Sequence, residues 1–422
     1  MIGTSAPLKR VATIKARVGW KGLTSDEFEV KSHAYLVTGR DFRGRYIDWN
    51  TCYQVSKERY DDDPFIQLRN GDLLVTKDGT IGKVALVDGL DKPACLNSGV
   101  FVVRPRDDLE TSYLYWILQS EVFSDFISEV SRGSTIQHLY QEEFRELRIP
   151  LCKLEEQRAI ADYLDRETAQ IDAFIAKNEE LIALLTERRS TVIRDAVTVG
   201  VAPAAHLVDS GLEGVGRIPA HWRVMRLSWL FRTTGSGTTP SADLMLDGED
   251  ADVWWVTTGE LRERRIEYTS RGISTETLAS TPALKVHPAG SLLIAMYGAT
   301  IGRMAVLGVP AASNQAVCAL SGPVDCCVEF VEYALLAARE RLLLEAVGGG
   351  QPNINQDVVR AFRIPIPAPS EQLEIVSHLV ERVAEIDRTI QIAERGVELA
   401  RERRAALISA AVTGKIYVGV AA

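Results

Sequence analysis

Two stretches of the chain carry apolar side chains at every seventh position. The seam positions are Leu164, Ile171, Asn178, Leu185 and Val192 in the first stretch, and Leu379, Ile386, Ala393, Ala400 and Leu407 in the second. This spacing is typical of a coiled-coil seam, so each stretch is predicted to be one helix of roughly 40 residues, or about 60 Å. Asn178 is either a register pin in the seam or a solvent-facing residue, and the pattern leaves both open.

The two helical stretches are copies of one another. Residues 148–200 align with residues 363–415 at a constant shift of 215 positions, without a gap. Both copies begin with Arg-Ile-Pro followed by Glu-Gln, and both end with Glu-Arg-Arg followed by Ala-Val-Thr. A repeat of this kind means that one structural unit occurs twice in the chain.

A weaker repeat upstream of each helix has the pattern of a mixed α/β domain. Short apolar runs between glycine turns predict strands at LLVTK (73–77), KVALV (83–87), GVFVVRP (99–105), LLIAMYG (292–298) and RMAVLG (303–308). Helical periodicity follows over 111–130 and 328–347, and each segment then meets a glycine-rich break. GTIGK (79–83) is predicted to be a turn between strands, with Lys83 and its counterpart Arg303 facing outward.

These patterns predict an α+β protein with a pseudo-two-fold internal repeat. Two mixed α/β domains are separated by two long coiled-coil helices. The predicted boundaries are 1–150 for the first domain, 151–200 for the central helix, 201–365 for the second domain and 366–422 for the last helix. Because the helical parts are preserved and the domains have diverged, the helices are expected to do one job twice and the domains two different jobs.

Composition changes this picture only a little. The six cysteines form no CxxC pair, which favours free thiols in a reducing compartment. The N-terminus lacks a secretory h-region and no run is apolar enough to span a membrane, so a soluble, cytoplasmic protein is expected. The net charge of -9 is spread over all four segments. It argues weakly against nucleic acid as a partner, although a local basic face is compatible with a balanced total.

The sequence offers no catalytic site. TTGSGTT (233–239) is followed by neither a helix nor a suitably placed acid, so a turn is expected there instead of a cofactor loop. GTIGK places its first glycine too close to the lysine for a phosphate-binding loop. DDDPF (61–65) lacks the second proline of a methyltransferase tetrapeptide, and the six histidines show no HExxH spacing.

The segment LVDSGLEGVGRIPAHWRVMRLSWL (207–230) resembles the start of a target recognition domain in the specificity subunits of type I restriction-modification systems. The Ile-Pro and Glu-Gln residues at each helix start, and the Glu-Arg-Arg and Ala-Val-Thr residues at each helix end, are similar to the same family. The first half lacks the Asp-Ser-Gly and Ile-Pro-x-His-Trp start. The resemblance covers nearly the whole chain.

This resemblance implies a non-catalytic DNA-binding subunit with two target recognition domains. Each domain would read one half of a bipartite site on double-stranded DNA. The two helices would pair antiparallel, as a two-fold relation between copies requires, set the unread spacer and dock two modification subunits. Those subunits would bind S-adenosylmethionine and methylate adenine, and restriction subunits would use ATP and magnesium. No cofactor or metal is expected in this chain, and no membrane partner.

DNA contacts are expected from loops beside the strands and at the glycine-rich breaks, where amide and basic side chains suit base edges and phosphates. The predicted contact residues are Lys77, Thr80, Lys83, Ser134, Thr135, Gln137 and His138 in the first domain, and Tyr297, Thr300, Arg303, Asn314, Gln315, Gln351 and Asn353 in the second. For about half of these residues a purely structural role in turns is the alternative.

The sequence leaves two other functions open. A duplicated protein-interaction scaffold that never touches DNA would agree with the acidic charge. A single-chain restriction-methylation enzyme would need a cofactor loop and a catalytic tetrapeptide, and neither is found in the sequence.

Overall fold

A computed structural model describes residues 4–17, 23, 25–130, 138–202, 206–346 and 353–418. The chain divides into two compact units, which are treated separately. Unit 1 comprises residues 1–179 and 394–422, and unit 2 comprises residues 180–393. Each unit therefore contains one mixed domain together with part of each long helix. The domain boundaries expected from the sequence follow chain order instead and remain a prediction.

Twelve α-helices occur within the described residues, and two of them are far longer than the others. The helices are α1 (Leu8–Val11), α2 (Lys57–Asp61), α3 (Thr111–Ile117), α4 (Glu121–Val130), α5 (Gln141–Glu146), α6 (Leu154–Thr198), α7 (Leu227–Leu230), α8 (Thr275–Ser280), α9 (Val328–Ala337), α10 (Arg339–Leu344), α11 (Gln356–Ala361) and α12 (Pro369–Val412). Among these described helices, none is both long and apolar enough to cross a membrane.

The strands are short, and most lie in the two mixed domains. Those of unit 1 are β1 (Thr4–Pro7), β2 (Ala12–Ala16), β3 (Ala34–Val37), β4 (Phe42–Arg43), β5 (Tyr46–Ile47), β6 (Tyr53–Val55), β7 (Leu73–Thr76), β8 (Val84–Leu86), β9 (Ala94–Leu96), β10 (Val100–Pro105) and β11 (Arg148–Leu151). Those of unit 2 are β12 (Leu207–Asp209), β13 (Arg217–Pro219), β14 (Arg223–Arg226), β15 (Phe231–Gly235), β16 (Leu246–Asp247), β17 (Val253–Val256), β18 (Arg265–Ile266), β19 (Arg271–Ile273), β20 (Val286–His287), β21 (Leu292–Ala295), β22 (Met304–Leu307), β23 (Ala311–Ser313), β24 (Val317–Pro323) and β25 (Arg363–Ile366).

The central sheet of unit 1 has the strand order β2-β10-β7-β8-β5-β4. Alternate residues of β7 face different cores: Leu73 and Val75 pack with α3 and α5, whereas Leu74 packs with the smaller β6-β3-β9 sheet. Because both faces of the sheet are covered, β7 is buried along its whole length and is apolar from Leu73 to Val75. The predicted strands at 73–77, 83–87 and 99–105 are thereby confirmed.

Unit 2 repeats this topology. Its main sheet has the order β15-β24-β21-β22-β18, and a second sheet contains the parallel pair β17-β23, the counterpart of β3-β9. Alternate residues of β21 again face two cores, with Leu292 on one side and Leu293 on the other. The helical segments predicted over 111–130 and 328–347 are each observed as two helices, α3 with α4 and α9 with α10.

The Arg-Ile-Pro sequence before each long helix forms a strand. β11 pairs antiparallel with β1, and β25 pairs antiparallel with β14, so the end of each mixed domain is tied to its beginning. Proline is tolerated here because each pair is a two-stranded sheet of edge strands. Pro150 and Pro365 therefore lie in the strands that close their domains, as well as upstream of a long helix.

The long helices run antiparallel within each unit. In unit 1, Arg404 of α12 pairs with Asp172 of α6, and Arg401 pairs with Glu179 further along. In unit 2, Arg189 pairs with Asp387. Arg404 is equivalent to Arg189 and Asp172 to Asp387 under the 215-position shift, so the same ion pair occurs in both units.

The predicted helical seam is observed. Leu164, Ile171, Ala393 and Ala400 are buried. Asn178 is half-buried, and its side-chain amide donates to the backbone carbonyl of Phe174 in its own helix, 2.9 Å away. This bond occupies the amide within one turn and gives no support to a role as register pin.

Candidate nucleic-acid interface

A glycine loop follows the central strand of each unit, at 78–83 after β7 and at 297–303 after β21. Gly79 and Gly82 adopt φ angles of +69° and +83°, and Gly298 and Gly302 adopt +81° and +74°. These left-handed conformations favour glycine, which explains why the loop sequence is repeated. In unit 1 the Thr76 hydroxyl closes the loop by donating to the Thr80 carbonyl at 2.5 Å and accepting from the Lys83 amide at 2.9 Å.

The segment after each glycine-rich break returns to this loop. In unit 1 the backbone of Lys77 accepts from Leu139 and donates to Gly99, both at 2.9 Å. In unit 2 the backbone of Met296 accepts from Ile354 and donates to Ala316, both at 2.8 Å. Isolated β-bridges join Asp78 to His138 and Tyr297 to Asn353. Each unit therefore brings three separate stretches of sequence together beside one strand end.

Four predicted residues of unit 1 gather at this place. Lys83 and Thr80 are exposed, as the sequence predicted for Lys83. The Lys77 side chain contacts its own domain. Its ammonium lies 3.2 Å from the Asp78 carboxylate and 5.9 Å from the centre of the Phe101 ring. His138 contacts the same Asp78 carboxylate. The outward-facing positive charge therefore comes from Lys83, while Asp78 pairs with Lys77 and contacts His138.

Unit 2 presents different side chains in the same frame. Arg303 occupies the place of Lys83 and is exposed, as predicted. Tyr297 replaces Asp78, and Asn353 replaces His138 across the bridge. Thr300 is half-buried, and its carbonyl accepts from the Arg303 amide at 2.9 Å. An aromatic ring and an amide thus stand where unit 1 has a carboxylate and an imidazole.

Two adjacent predicted residues in the turn after β23, Asn314 and Gln315, have different roles. Asn314 has a structural role, because its side-chain oxygen accepts from the Ala316 amide at 3.1 Å and closes the turn. Gln315 is exposed and accepts from the Thr239 hydroxyl at 2.7 Å. Thr239 was not expected at this site. The remaining predicted residues Ser134, Thr135, Gln137 and Gln351 lie outside the residues that the structure describes.

Thr239 reaches Gln315 because the TTGSGTT segment passes close to β23. A Cβ atom added to Gly237 would lie 1.7 Å from the Ser313 carbonyl oxygen, so only glycine fits. The turn expected for this glycine pair is not observed. The chain instead runs on from the end of β15 past β23, and close backbone approach is the reason for Gly237.

The glutamine of each Glu-Gln pair joins the long helix to its domain. Gln157 is fully buried; its amide donates to the carbonyls of Asp108 and Cys152, and its side-chain oxygen accepts from the Glu110 amide. Gln372 makes the same three bonds in unit 2, to Asp325, Pro367 and Cys327. The repeated glutamine is therefore a structural link between helix and domain.

The glutamate of the second pair has a partner of its own. Both carboxylate oxygens of Glu371 are used, one accepting from the Trp222 indole and the other contacting the His221 ring, each at 3.0 Å. The hairpin β12-β13 precedes these two residues, and Trp222 is buried in the core of unit 2. The His-Trp motif thus fixes the start of the second domain to the start of α12.

The buried thiols are poor nucleophiles. Burial raises the pKa of Cys318 to about 12, and that of Cys95 to about 11 despite the neighbouring Arg17. Both thiols therefore remain protonated at neutral pH, and it is the thiolate that reacts. Among the described residues, no three His, Cys, Asp or Glu side chains are grouped so that they could hold a metal ion.

Residues 25–183 and 219–394 match the type I restriction modification DNA specificity domain. The chain belongs to this family. A chain named as the MjaX specificity subunit of a type I restriction enzyme from Methanocaldococcus jannaschii is 26% identical over 417 residues, covering 94% of this chain and 90% of that one. The two matched segments of the specificity domain correspond to the two halves of the sequence repeat.

Solved structures share the fold of this specificity protein. A chain from a study of assembly and conformational transition of a type I restriction-modification system covers 98% of both chains, with a TM-score of 0.69 at 16% identity. The HsdS subunit from Thermoanaerobacter tengcongensis gives a TM-score of 0.54, also at 16% identity, over 98% of this chain and 97% of that one. Specificity subunits are in general non-catalytic and act in DNA sequence recognition.

Proposed function

We propose that this chain is the subunit of a type I restriction-modification complex that reads a bipartite DNA site, with one half-site bound by each mixed domain. The observation that carries the proposal is the repeated loop frame with unlike side chains. Asp78 and His138 in unit 1 correspond to Tyr297 and Asn353 in unit 2. Base edges are distinguished by the donors and acceptors they meet, so one frame with two sets of side chains suits two different half-sites.

The long helices would set the distance between the half-sites and dock two modification subunits. Their antiparallel course within each unit, fixed by Arg404–Asp172 and by Arg189–Asp387, supports a rigid spacer. Catalysis would reside in the partners: modification subunits with S-adenosylmethionine would methylate adenine, and restriction subunits would use ATP and magnesium. The chain itself would hold no cofactor.

Exchanging residues 1–150 for the same region of another specificity subunit should change one half of the recognised site and leave the other half unchanged. The physical reason is that each loop frame is built within one unit. Sequencing the methylated motif in cells with and without the gene, and with the hybrid gene, provides the measurement. A change in both halves would contradict the division of labour, and a single contiguous motif would contradict the bipartite site.

Lys83→Ala and Arg303→Ala should each weaken DNA binding to a similar extent for all sequences. Both side chains are exposed cations at equivalent positions of the two loops, which supports a role in binding phosphates. Each variant should lower the slope of log K against log salt by about 1. The measurement is a salt titration of DNA binding by the complex with the modification subunits.

Lys9→Ala is a matched control for this titration. The Lys9 ammonium is already paired with Glu146 within the first domain, so its loss should leave the salt slope unchanged. If Lys83→Ala and Arg303→Ala also leave the slope unchanged, the glycine loops do not contact the phosphate backbone.

A further inference from the structure

A polar contact joins the first domain to α6 in unit 1. Asp165 of α6 accepts from the indole of Trp116 at 2.7 Å and is paired with the Arg45 guanidinium. Arg45 also donates to the Ser112 hydroxyl at 3.3 Å. One helical carboxylate therefore holds two parts of the domain, the loop before β5 and helix α3.

The same indole also contacts the second helix. The guanidinium of Arg404 in α12 lies 5.8 Å from the Trp116 ring centre, at cation–π distance. Arg404 is held by Asp172 of α6 through two contacts, at 2.8 and 3.3 Å. Trp116 thus touches both helices of unit 1, one through the carboxylate of Asp165 and the other through a guanidinium.

Unit 2 keeps only part of this arrangement. Its helices carry the equivalent ion pair Arg189–Asp387, at 2.8 Å. Glu110 and Cys327 occupy equivalent positions, because their amides donate to equivalent glutamines. Trp116 and Tyr333 each lie six positions further along the chain and therefore correspond to one another. Asp165, however, corresponds to Val380, which has no hydrogen-bonding group and is 52% exposed. The carboxylate link is therefore a feature of the first domain and is not required by the shared fold.

We propose that Asp165 is a positioning residue that holds the first domain at one setting on the helices and so restricts the half-site spacing that the complex accepts. This inference rests on the proposed function. A spacer longer or shorter by one base pair moves a half-site by about 3.4 Å along the DNA and by about 34° around it. A domain that followed this movement would carry Trp116 out of hydrogen-bonding distance of Asp165.

The test compares DNA duplexes that carry the recognised half-sites at the natural spacing and at one base pair more or less. Binding of the complex with modification subunits is measured for wild-type protein and for Asp165→Asn. Asp165→Asn removes the charge that binds Arg45 and leaves the indole only a neutral amide oxygen as acceptor, so the preference for the natural spacing should fall about tenfold, the factor expected when contacts to a charged group become neutral. Affinity at the natural spacing should change less than threefold, since Asp165 is proposed to contact no DNA.

Three further variants separate positioning from general damage. Trp116→Phe removes the indole N–H and should also relax the spacing preference. Asp165→Glu keeps a carboxylate, so its spacing preference should lie between those of Asp165→Asn and wild type. Glu146→Gln breaks the Lys9 pair within the same domain and should leave the preference unchanged.

The outcomes distinguish two failures. If Asp165→Asn and Trp116→Phe keep the wild-type spacing preference while the wild-type complex protects a bipartite site, the inference about Asp165 is overturned and the proposed function stands. If the wild-type complex protects no bipartite site, both are overturned.

Discussion

Replacing Gln372 by alanine should destabilise unit 2 by about 3–5 kcal/mol, because three buried backbone groups lose their partner at once and each orphaned group costs ~1–3 kcal/mol. The Asp325 and Pro367 carbonyls lose a donor, and the Cys327 amide loses an acceptor. The side chain is 0% exposed, so bulk water does not reach these groups directly. For a unit of this size the melting midpoint should fall by about 6–20 °C.

Gln157→Ala is the matched variant, since Gln157 makes the same three bonds in unit 1. Hydrogen exchange on the full chain should show loss of protection in unit 2 peptides for Gln372→Ala and in unit 1 peptides for Gln157→Ala. Gln391→Ala removes an exposed glutamine from the same helix, α12, and serves as control. If all three variants melt alike, the glutamines do not join helix to domain.

The role of these glutamines was beyond the reach of sequence reasoning. The partners of Gln157 include the Asp108 carbonyl, 49 positions away, and those of Gln372 include the Asp325 carbonyl, 47 positions away. Backbone groups carry no sequence signal, so the Glu-Gln repeat could be recognised but its contacts could not. The helical seam was predictable for the opposite reason: its spacing of seven is written in the side chains themselves.

In the candidate DNA site, too, some features could be predicted from the sequence and others could not. Glycine spacing located both loops, because a left-handed backbone favours glycine at Gly82 and Gly302. The side-chain chemistry of Lys77 and Asn314 suits DNA contacts, but Lys77 is ion-paired with Asp78 and Asn314 closes a turn, so both are engaged within their domains. Thr239 was missed because it is brought beside Gln315 by a distant strand.

Glu332 gives the second large effect expected, a dependence of stability on pH. Burial raises the pKa of this α9 side chain to about 7 from an ordinary value of 4.5, and the Glu329 and Glu263 carboxylates add to the shift. One carboxylate oxygen of Glu332 is buried without a hydrogen-bond partner. The two carboxylates that act on Glu332 have guanidinium partners of their own, Arg339 for Glu263 and Arg265 for Glu329.

The folded protein keeps the Glu332 proton to a higher pH than the unfolded chain does. Between pH values of about 4.5 and 7 the folded state therefore binds more protons, and stability falls as pH rises. The contribution of Glu332 is fully present below that range and is lost once pH has passed about 7. Glu332→Gln, which stays neutral, should be more stable than wild type at pH 8 by on the order of 2 kcal/mol.

Two measurements test this prediction. Urea unfolding across this pH range gives the free energy of unfolding, and hydrogen exchange shows whether the change lies in unit 2. The two proteins should have similar stability near the acidic end, and their stability curves should separate steadily up to neutral pH. Glu340→Gln changes an exposed carboxylate on the neighbouring α10 and should follow the wild-type curve throughout. Parallel curves for wild type and Glu332→Gln would mean that Glu332 is already ionised in the folded protein at acidic pH. In that case burial against Glu329 and Glu263 does not hold its proton.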